Sequence, residues 1–313
     1  MKKMKAVRFH DYGGGDVLVL EEIPRPAIGD DEVLVKVAAA GVNPVDWKVR
    51  GGYLKDFMPY DLPLIPGWDF SGVVEETGSG VSGLAAGEEV YGLADLARDG
   101  TYAEYVAVKA ATVAPKPKSI DHLQAASVPL AGLTAWQALF DIGGLDEGQR
   151  ILVHAAAGGV GIFAVQFARW KGAYVIGTAS ARNKDFLISL GVDEVVDYTA
   201  APFEEAVQDV DLVLDAMGGE VQSRSWAVLK KGGILVSLVG PPDETAAADH
   251  GVRGEGVFVQ PNAGQLSRIG ELIDSGAVTT CIAEVLPLSE ARKAQELNET
   301  GHTRGKIVLE IAG

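Results

Sequence analysis

Residues 150–168 run from a short apolar stretch, through a turn of small residues, into an amphipathic segment. The turn holds Ala156, Gly158 and Gly161, an A-x-G-x-x-G spacing. Each type has a physical use. Without a Cβ at 158, a pyrophosphate can approach the main chain. Without one at 161, a helix can pack close to the strand before it. The N–H groups that open that helix then face an anion. On this reading Ala157, Gly158, Gly159 and Val160 line the phosphates of a dinucleotide. A tight strand-to-helix turn that keeps glycine for packing alone is the plainer reading. A second strand pattern at 173–179 favours the dinucleotide, because a βαβ unit requires it.

The residues that end this second strand choose between dinucleotides. An Asp or Glu about 20 residues past the fingerprint binds a ribose 2′-hydroxyl. Here stand Thr178, Ala179, Ser180, Ala181, Arg182, Asn183 and Lys184, with no carboxylate. A hydroxyl, a guanidinium, an amide and an ammonium suit a 2′-phosphate dianion. NADPH is therefore expected over NADH, the alternative being a polar loop whose bases face solvent.

These residues need a frame. The 313 residues suffice for two domains, and 47% hydrophobic with 22% charged residues is a globular balance. A net charge of −16 argues against nucleic acid or an anionic membrane as partner. An anionic cofactor must then be held by local groups. Cys281 is the only cysteine, so no disulfide forms within the chain. Met1-Lys2-Lys3-Met4-Lys5 lacks the apolar core of a signal peptide, and no apolar run is long enough to span a bilayer, so a cytoplasmic protein is expected.

Residues 4–40 and 79–114 read as short strands with dense turns, the pattern of a barrel-like β domain. Pro115-Lys116-Pro117-Lys118 marks a boundary, followed by helical patterns at 121–127 and 131–140. Residues 148–260 alternate strand and helix, which predicts a doubly wound parallel sheet with its ligand at the carboxyl ends of the strands. Residues 241–256, rich in Pro, Gly, Asp and Ala, read as a mobile loop, and 262–276 as a helix.

Five motifs occur in order: Asn43-Pro44-Val45-Asp46-Trp47-Lys48 with Pro66-Gly67-Trp68-Asp69-Phe70-Ser71-Gly72; Gly132-Leu133-Thr134-Ala135-Trp136; the fingerprint turn; Gly191-Val192-Asp193-Glu194-Val195-Val196-Asp197-Tyr198; and Gly301-His302-Thr303-Arg304-Gly305-Lys306. Over its whole length the chain resembles the zinc-free quinone oxidoreductase branch of the medium-chain dehydrogenase/reductase superfamily, which includes zeta-crystallin-like proteins and enone reductases. The resemblance implies an α/β fold: a GroES-like β-barrel domain at 1–120, with 285–313 returning to it, and a Rossmann NADP-binding domain at 121–284. It also implies a homodimer or homotetramer.

Zinc enzymes of that superfamily carry Cys where this chain has Asn43, and His-Glu where it has Trp68-Asp69. Amide and indole are not zinc ligands, and two carboxylates without a soft ligand make no catalytic zinc site, so no metal is expected.

The resemblance implies hydride transfer from NADPH to a quinone or an α,β-unsaturated carbonyl. The oxygen that gains charge needs donors, and Asn43 and Lys48 occupy the motif facing it. Lys48 also fits a cofactor contact or a solvated helix lysine, and Asn43 also fits a cap on a helix opened by Pro44. Asp46 reads as a partner for backbone or for Arg50. Tyr198 is implied near the 2′-phosphate, or is packing; Thr134 donates to the cofactor, or caps its helix. The backbone at Leu238 and Val239 is implied at the nicotinamide carboxamide. Phe258 and Val259 stand at the cofactor and the substrate mouth, and Arg304 and Gly305 reach the cofactor from the returning tail. His122, His154 and His302 read as structural, and protonation is left to water. The rival functions are a non-catalytic NADPH-binding, crystallin-like scaffold and a zinc alcohol dehydrogenase.

Overall fold

A computed structural model describes residues 2–311. Met1, Ala312 and Gly313, at the ends of the expected domain spans, lie outside the described residues. The chain forms two compact units, one running to Ala131 and resuming at Pro261, the other Gly132–Gln260.

The first unit opens with the antiparallel pair β1 (Lys3–Phe9) and β2 (Leu18–Pro24). The long strand β3 (Glu32–Val42) follows, then α1 (Pro44–Arg50), β4 (Asp69–Thr77), β5 (Glu89–Leu93), β6 (Tyr105–Lys109), β7 (Val113–Pro115), α2 (His122–Ala126) and α3 (Pro129–Trp136). The division between the units falls inside α3.

The second unit contains β8 (Arg150–Val153), α4 (Gly161–Lys171), β9 (Tyr174–Ala179), α5 (Lys184–Ser189), β10 (Glu194–Asp197), β11 (Val210–Asp215), α6 (Gly219–Ser225), β12 (Leu229–Ser237), α7 (Glu244–Asp249) and β13 (Arg253–Gly256). The tail supplies α8 (Ala263–Asp274), β14 (Ile282–Pro287), α9 (Ala291–Glu299) and β15 (Lys306–Glu310) to the first unit.

The second unit is the expected doubly wound sheet. Its strands are parallel in the order β10-β9-β8-β11-β12-β13. The chain steps outward one way from β8 and the other way from β11, so the topological switch lies between them, where such sheets take their ligands. Ile151, Leu152 and Val153 of β8 are fully buried, as a strand covered on both faces requires. Each such side chain contributes on the order of 2 kcal/mol.

In the first unit the sheet path is β14-β15-β3-β4-β5-β7, with β6 also on β3. Strand β15 runs antiparallel to β3, pairing Ile307 with Val42 and Val308 with Gly41. This pairing makes the tail part of the core, together with Met4, Val42, Tyr102, Ile307 and Leu309.

Two expectations are corrected. Residues 121–131 and 261–284, expected in the Rossmann domain, fold with the first unit. Helix α2 packs on β3 and β4, and the Tyr91 hydroxyl donates to the Leu266 carbonyl of α8 at 2.5 Å. Residues 241–256 are not a loop throughout: they contain α7 and β13. The Asp243 carboxylate caps α7 by accepting from the Thr245 and Ala246 N–H groups, and β13 continues the sheet beside β12. A composition rich in turn formers hid a one-and-a-half-turn helix.

Candidate functional site

In the second unit, the carboxyl ends of five parallel strands bring most of the expected residues onto one edge. Beyond β8 lie Ala157, Gly158, Gly159 and Val160; beyond β9, Ser180, Arg182 and Asn183; beyond β10, Tyr198; beyond β12, Leu238 and Val239; beyond β13, Phe258 and Val259.

The two fingerprint glycines have different reasons to be glycine. A Cβ on Gly161 would run into the Ala155 carbonyl oxygen and would lie 2.6 Å from that of Ala156. The fold alone demands glycine there. A Cβ on Gly158 would meet only the Ala155 oxygen, at 3.1 Å. Packing alone therefore explains Gly161, whereas at Gly158 a Cβ is tight rather than forbidden. Ala155, at φ 50°, is left-handed without being glycine, and the Ala156 N–H bonds the Thr178 carbonyl at 3.1 Å. This geometry, at the N-terminus of an 11-residue helix, fits the pyrophosphate of a dinucleotide.

Beyond β9, the Asn183 N–H donates to the Ser180 carbonyl at 2.9 Å, closing a short turn with Arg182 exposed at its tip. Asp197 pairs with Ala179 across the sheet, and its Oδ1 accepts from the Thr199 N–H and hydroxyl at 2.9 and 2.7 Å. These bonds hold it below the usual carboxylate range. Tyr198 is 57% exposed, so packing does not account for it. The Leu238 N–H bonds the Asp215 carbonyl, and the Val239 N–H faces Ser237 Oγ at 3.3 Å. Gln137 and Gln260 exchange two hydrogen bonds, of 2.8 and 2.9 Å, which fasten the segment carrying Phe258 and Val259. Thr134 is buried.

The remaining expected residues, Asn43, Lys48, Arg304 and Gly305, lie in the first unit. Asn43 is 1% exposed and its amide is occupied at both ends. Nδ2 donates to Asp69 Oδ2 at 2.8 Å, and Oδ1 accepts from Lys306 Nζ. Lys306 Nζ also donates to the Val42 carbonyl at 3.2 Å and lies 3.4 Å from Asp69 Oδ2. Asp69 Oδ1 accepts from the Leu130 N–H at 2.6 Å. Burial pushes the Asp69 carboxyl up, while Lys306, Asn43 and Leu130 pull it back.

The Asn43 main-chain N–H donates to Asp46 Oδ2 at 2.8 Å, which also accepts from the Tyr102 hydroxyl at 2.8 Å. Asp46 Oδ1 has no partner, and burial raises its carboxyl to about 7. Of the two partners expected for Asp46, the structure gives backbone and not Arg50, which bonds Gly13, Gln295 and Glu299 and so ties α1 to α9.

Lys48 is half-buried on α1, its Nζ 5.7 Å from the Trp47 ring centre. Arg304 is exposed. Gly305 directly precedes β15 at φ 83°, where a Cβ would overlap the Cys281 carbonyl, so the entry to the strand itself requires glycine. His122 faces Ser71 Oγ at 2.7 Å, and His154 is enclosed in the second unit. Reading the sequence missed Lys306 as an individual. Its signal was a lone cation heading the apolar run Ile307-Val308-Leu309.

The parallel sheet, its glycine turn and a β unit closed by a returning tail define a medium-chain dehydrogenase/reductase. Residues 29–118 match the alcohol dehydrogenase GroES-like domain, and 190–309 the zinc-binding dehydrogenase model. The chain is 39% identical to the NADPH-dependent alkenal/one oxidoreductase of Arabidopsis thaliana, over 98% of this chain and 80% of the relative. It superposes on the quinone oxidoreductase of Coxiella burnetii with a TM-score of 0.94 at 39% identity, covering 99% and 100% of the two chains. A cobalt- and zinc-bound alcohol dehydrogenase from Pyrobaculum aerophilum shares the fold, with a TM-score of 0.86 at 28% identity over 99% and 100%. The chain belongs to the quinone oxidoreductase branch of the medium-chain dehydrogenase/reductase superfamily, and it is an oxidoreductase that works with a nicotinamide cofactor.

A catalytic zinc does not fit these residues. Asn43 and Trp68 supply an amide and an indole, and the indole N–H donates to the Arg98 carbonyl at 3.2 Å. The Asp69 carboxylate already faces an ammonium. Among the described residues, no three His, Cys, Asp or Glu side chains gather as metal ligands.

Proposed function

We propose that this chain is an NADPH-dependent, metal-independent reductase of quinones or α,β-unsaturated carbonyls. The observation that carries the cofactor choice is the loop beyond β9. It presents Ser180, Arg182 and Asn183 with no carboxylate from 178 to 184, while Thr199 engages Oδ1 of the nearby Asp197. A 2′-phosphate suits that loop better than a bare 2′-hydroxyl. The relative from Arabidopsis, named an NADPH-dependent alkenal/one oxidoreductase, supports the same reading.

When bound, the cofactor supplies the hydride. The turn at Ala157, Gly158, Gly159 and Val160 holds its phosphates, and the Leu238–Val239 backbone orients its carboxamide end. Thr134, Phe258 and Val259 complete its surroundings, and Arg304 belongs to the same set. Gly305 serves by shaping the tail that carries Arg304. Lys48 donates a hydrogen bond to the acceptor's oxygen as charge arrives there. Asn43 acts at one remove: its amide is spent on Asp69 and Lys306, so it fixes the start of the helix bearing Lys48. No side chain is assigned as proton donor, and water supplies that proton.

The test is oxidation of NADPH and of NADH against a panel of quinones and enones. Turnover with NADPH far above that with NADH supports the proposal. Equal use of the two cofactors refutes the cofactor choice. Binding without turnover on any acceptor marks a scaffold instead.

A further inference from the structure

His154 follows β8 and directly precedes the left-handed Ala155. Such a residue keeps its conformation only where its surroundings enforce it. The His154 ring is 2% exposed and lies edge-on to Phe203, 4.7 Å between centres. Its Nε2 is 2.9 Å from Ser225 Oγ and its Nδ1 is 3.1 Å from Thr178 Oγ1.

The network fixes the tautomer. A hydroxyl has one proton to give, and Ser225 gives it to the Val221 carbonyl at 2.7 Å. Toward the ring Ser225 therefore accepts, and His154 carries its proton on Nε2. Burial lowers the ring pKa to about 4, which keeps it neutral. Nδ1 is then bare and accepts from the Thr178 hydroxyl.

The two partners come from different elements. Thr178 lies two residues before Ser180, and its carbonyl also receives the Ala156 N–H. Ser225 ends α6. The His154 main-chain N–H goes to the Leu214 carbonyl of β11 at 3.0 Å. The ring thus joins the end of β8, where the phosphate turn starts, to the end of β9, where the cofactor-choosing loop starts.

We propose that His154, as its Nε2–H tautomer, is a positioning residue that holds the 155–160 turn in register with the 180–183 loop, so that one dinucleotide meets both. This deepens the dinucleotide reading above and rests on it. The ring is too buried to touch the cofactor.

The test compares the wild type with His154→Phe, which keeps an aromatic ring without either hydrogen bond, and with Thr178→Val, which removes the Nδ1 partner and leaves the histidine. NADPH affinity is read by fluorescence, alongside KM and kcat. The expected result is a roughly tenfold rise in the NADPH Kd and KM of His154→Phe, with kcat within about twofold. A smaller rise of the same kind is expected for Thr178→Val. A purely structural role would instead lower the thermal midpoint and the active fraction, and so kcat, with KM unchanged; that outcome overturns the proposal. If His154→Phe fails to fold, an unchanged KM in Thr178→Val overturns it. Nitrogen-15 NMR of the ring in the wild type must find Nε2 protonated and Nδ1 bare; the reverse also overturns it. A wild type that binds neither NADPH nor NADH refutes the dinucleotide reading itself.

Discussion

Lys306 Nζ stands 3.4 Å from Asp69 Oδ2, with the two side chains 4% and 0% exposed. The tail strand and a central strand of the first unit are joined by an ion pair that water does not reach. Breaking one side of such a pair strands the other, at about 3–5 kcal/mol, whereas replacing both is far milder. Lys306→Met should therefore lower the unfolding free energy by about that amount in urea titrations, and Lys306→Met with Asp69→Asn should recover much of it. A single variant as stable as the wild type would show that the pair contributes nothing.

Gly158 and Gly161 separate packing from binding. Gly161→Ala drives a methyl against two carbonyls and should cost more than about 2 kcal/mol. Gly158→Ala meets a single oxygen at 3.1 Å, so its stability should stay within about 1 kcal/mol of wild type while the KM for NADPH rises severalfold. Thermal unfolding and NADPH titration read the two effects. Unchanged affinity in a folded Gly158→Ala protein would return that glycine to the fold.

Arg182 lies exposed at the tip of the loop beyond β9. Arg182→Ala should raise the KM for NADPH about tenfold, worth about 1.4 kcal/mol, and lower kcat far less. Equal NADPH affinity in wild type and variant removes Arg182 from the site. The loss should shrink with added salt, because the interaction is between exposed charges.

Lys48 is half-buried and its Nζ lies near the Trp47 ring. Lys48→Met should leave stability within about 0.5 kcal/mol. If Lys48 donates to the acceptor oxygen, kcat should fall on the order of 10- to 100-fold, and Lys48→Arg should restore part of it. A drop confined to the KM for NADPH would assign Lys48 to the cofactor.

Asp46 and His154 give opposed pH dependences. Burial raises Asp46 to about 7, above its unfolded value near 3.9. Its contribution to stability is whole below pH ~4 and is lost as pH rises through about 7. At about 1.4 kcal/mol per pH unit the loss is on the order of 4 kcal/mol. His154 is lowered to about 4, so it costs stability as pH falls from ~6.5 toward 4. Asp46→Asn should therefore gain on the wild type between pH 5 and pH 8 in denaturant titrations. A constant difference across that range would mean that Asp46 is already ionised at pH 5.

Part of the site was legible because its signals are local. The glycines, the small residues beside them and the absence of an acid after β9 are sequence-near features, and a parallel sheet follows from the alternation of apolar runs with helices. Residues 241–256 misled because Pro, Gly and Asp mark caps as well as loops, and the Asp243 cap of α7 is visible only as geometry.

By itself the sequence determined the fold class, the glycine turn and the polar, carboxylate-free loop beyond β9, since each depends on residues close together in the chain. Tertiary structure alone decided three things. Lys306, 237 positions from Asp69, is its partner. Arg50 turns to α9 rather than to Asp46. His154 bridges the ends of two strands and a helix. Such contacts join distant segments across a buried interior, where an unpaired charge or donor is costly, and no local spacing encodes which partner will be there.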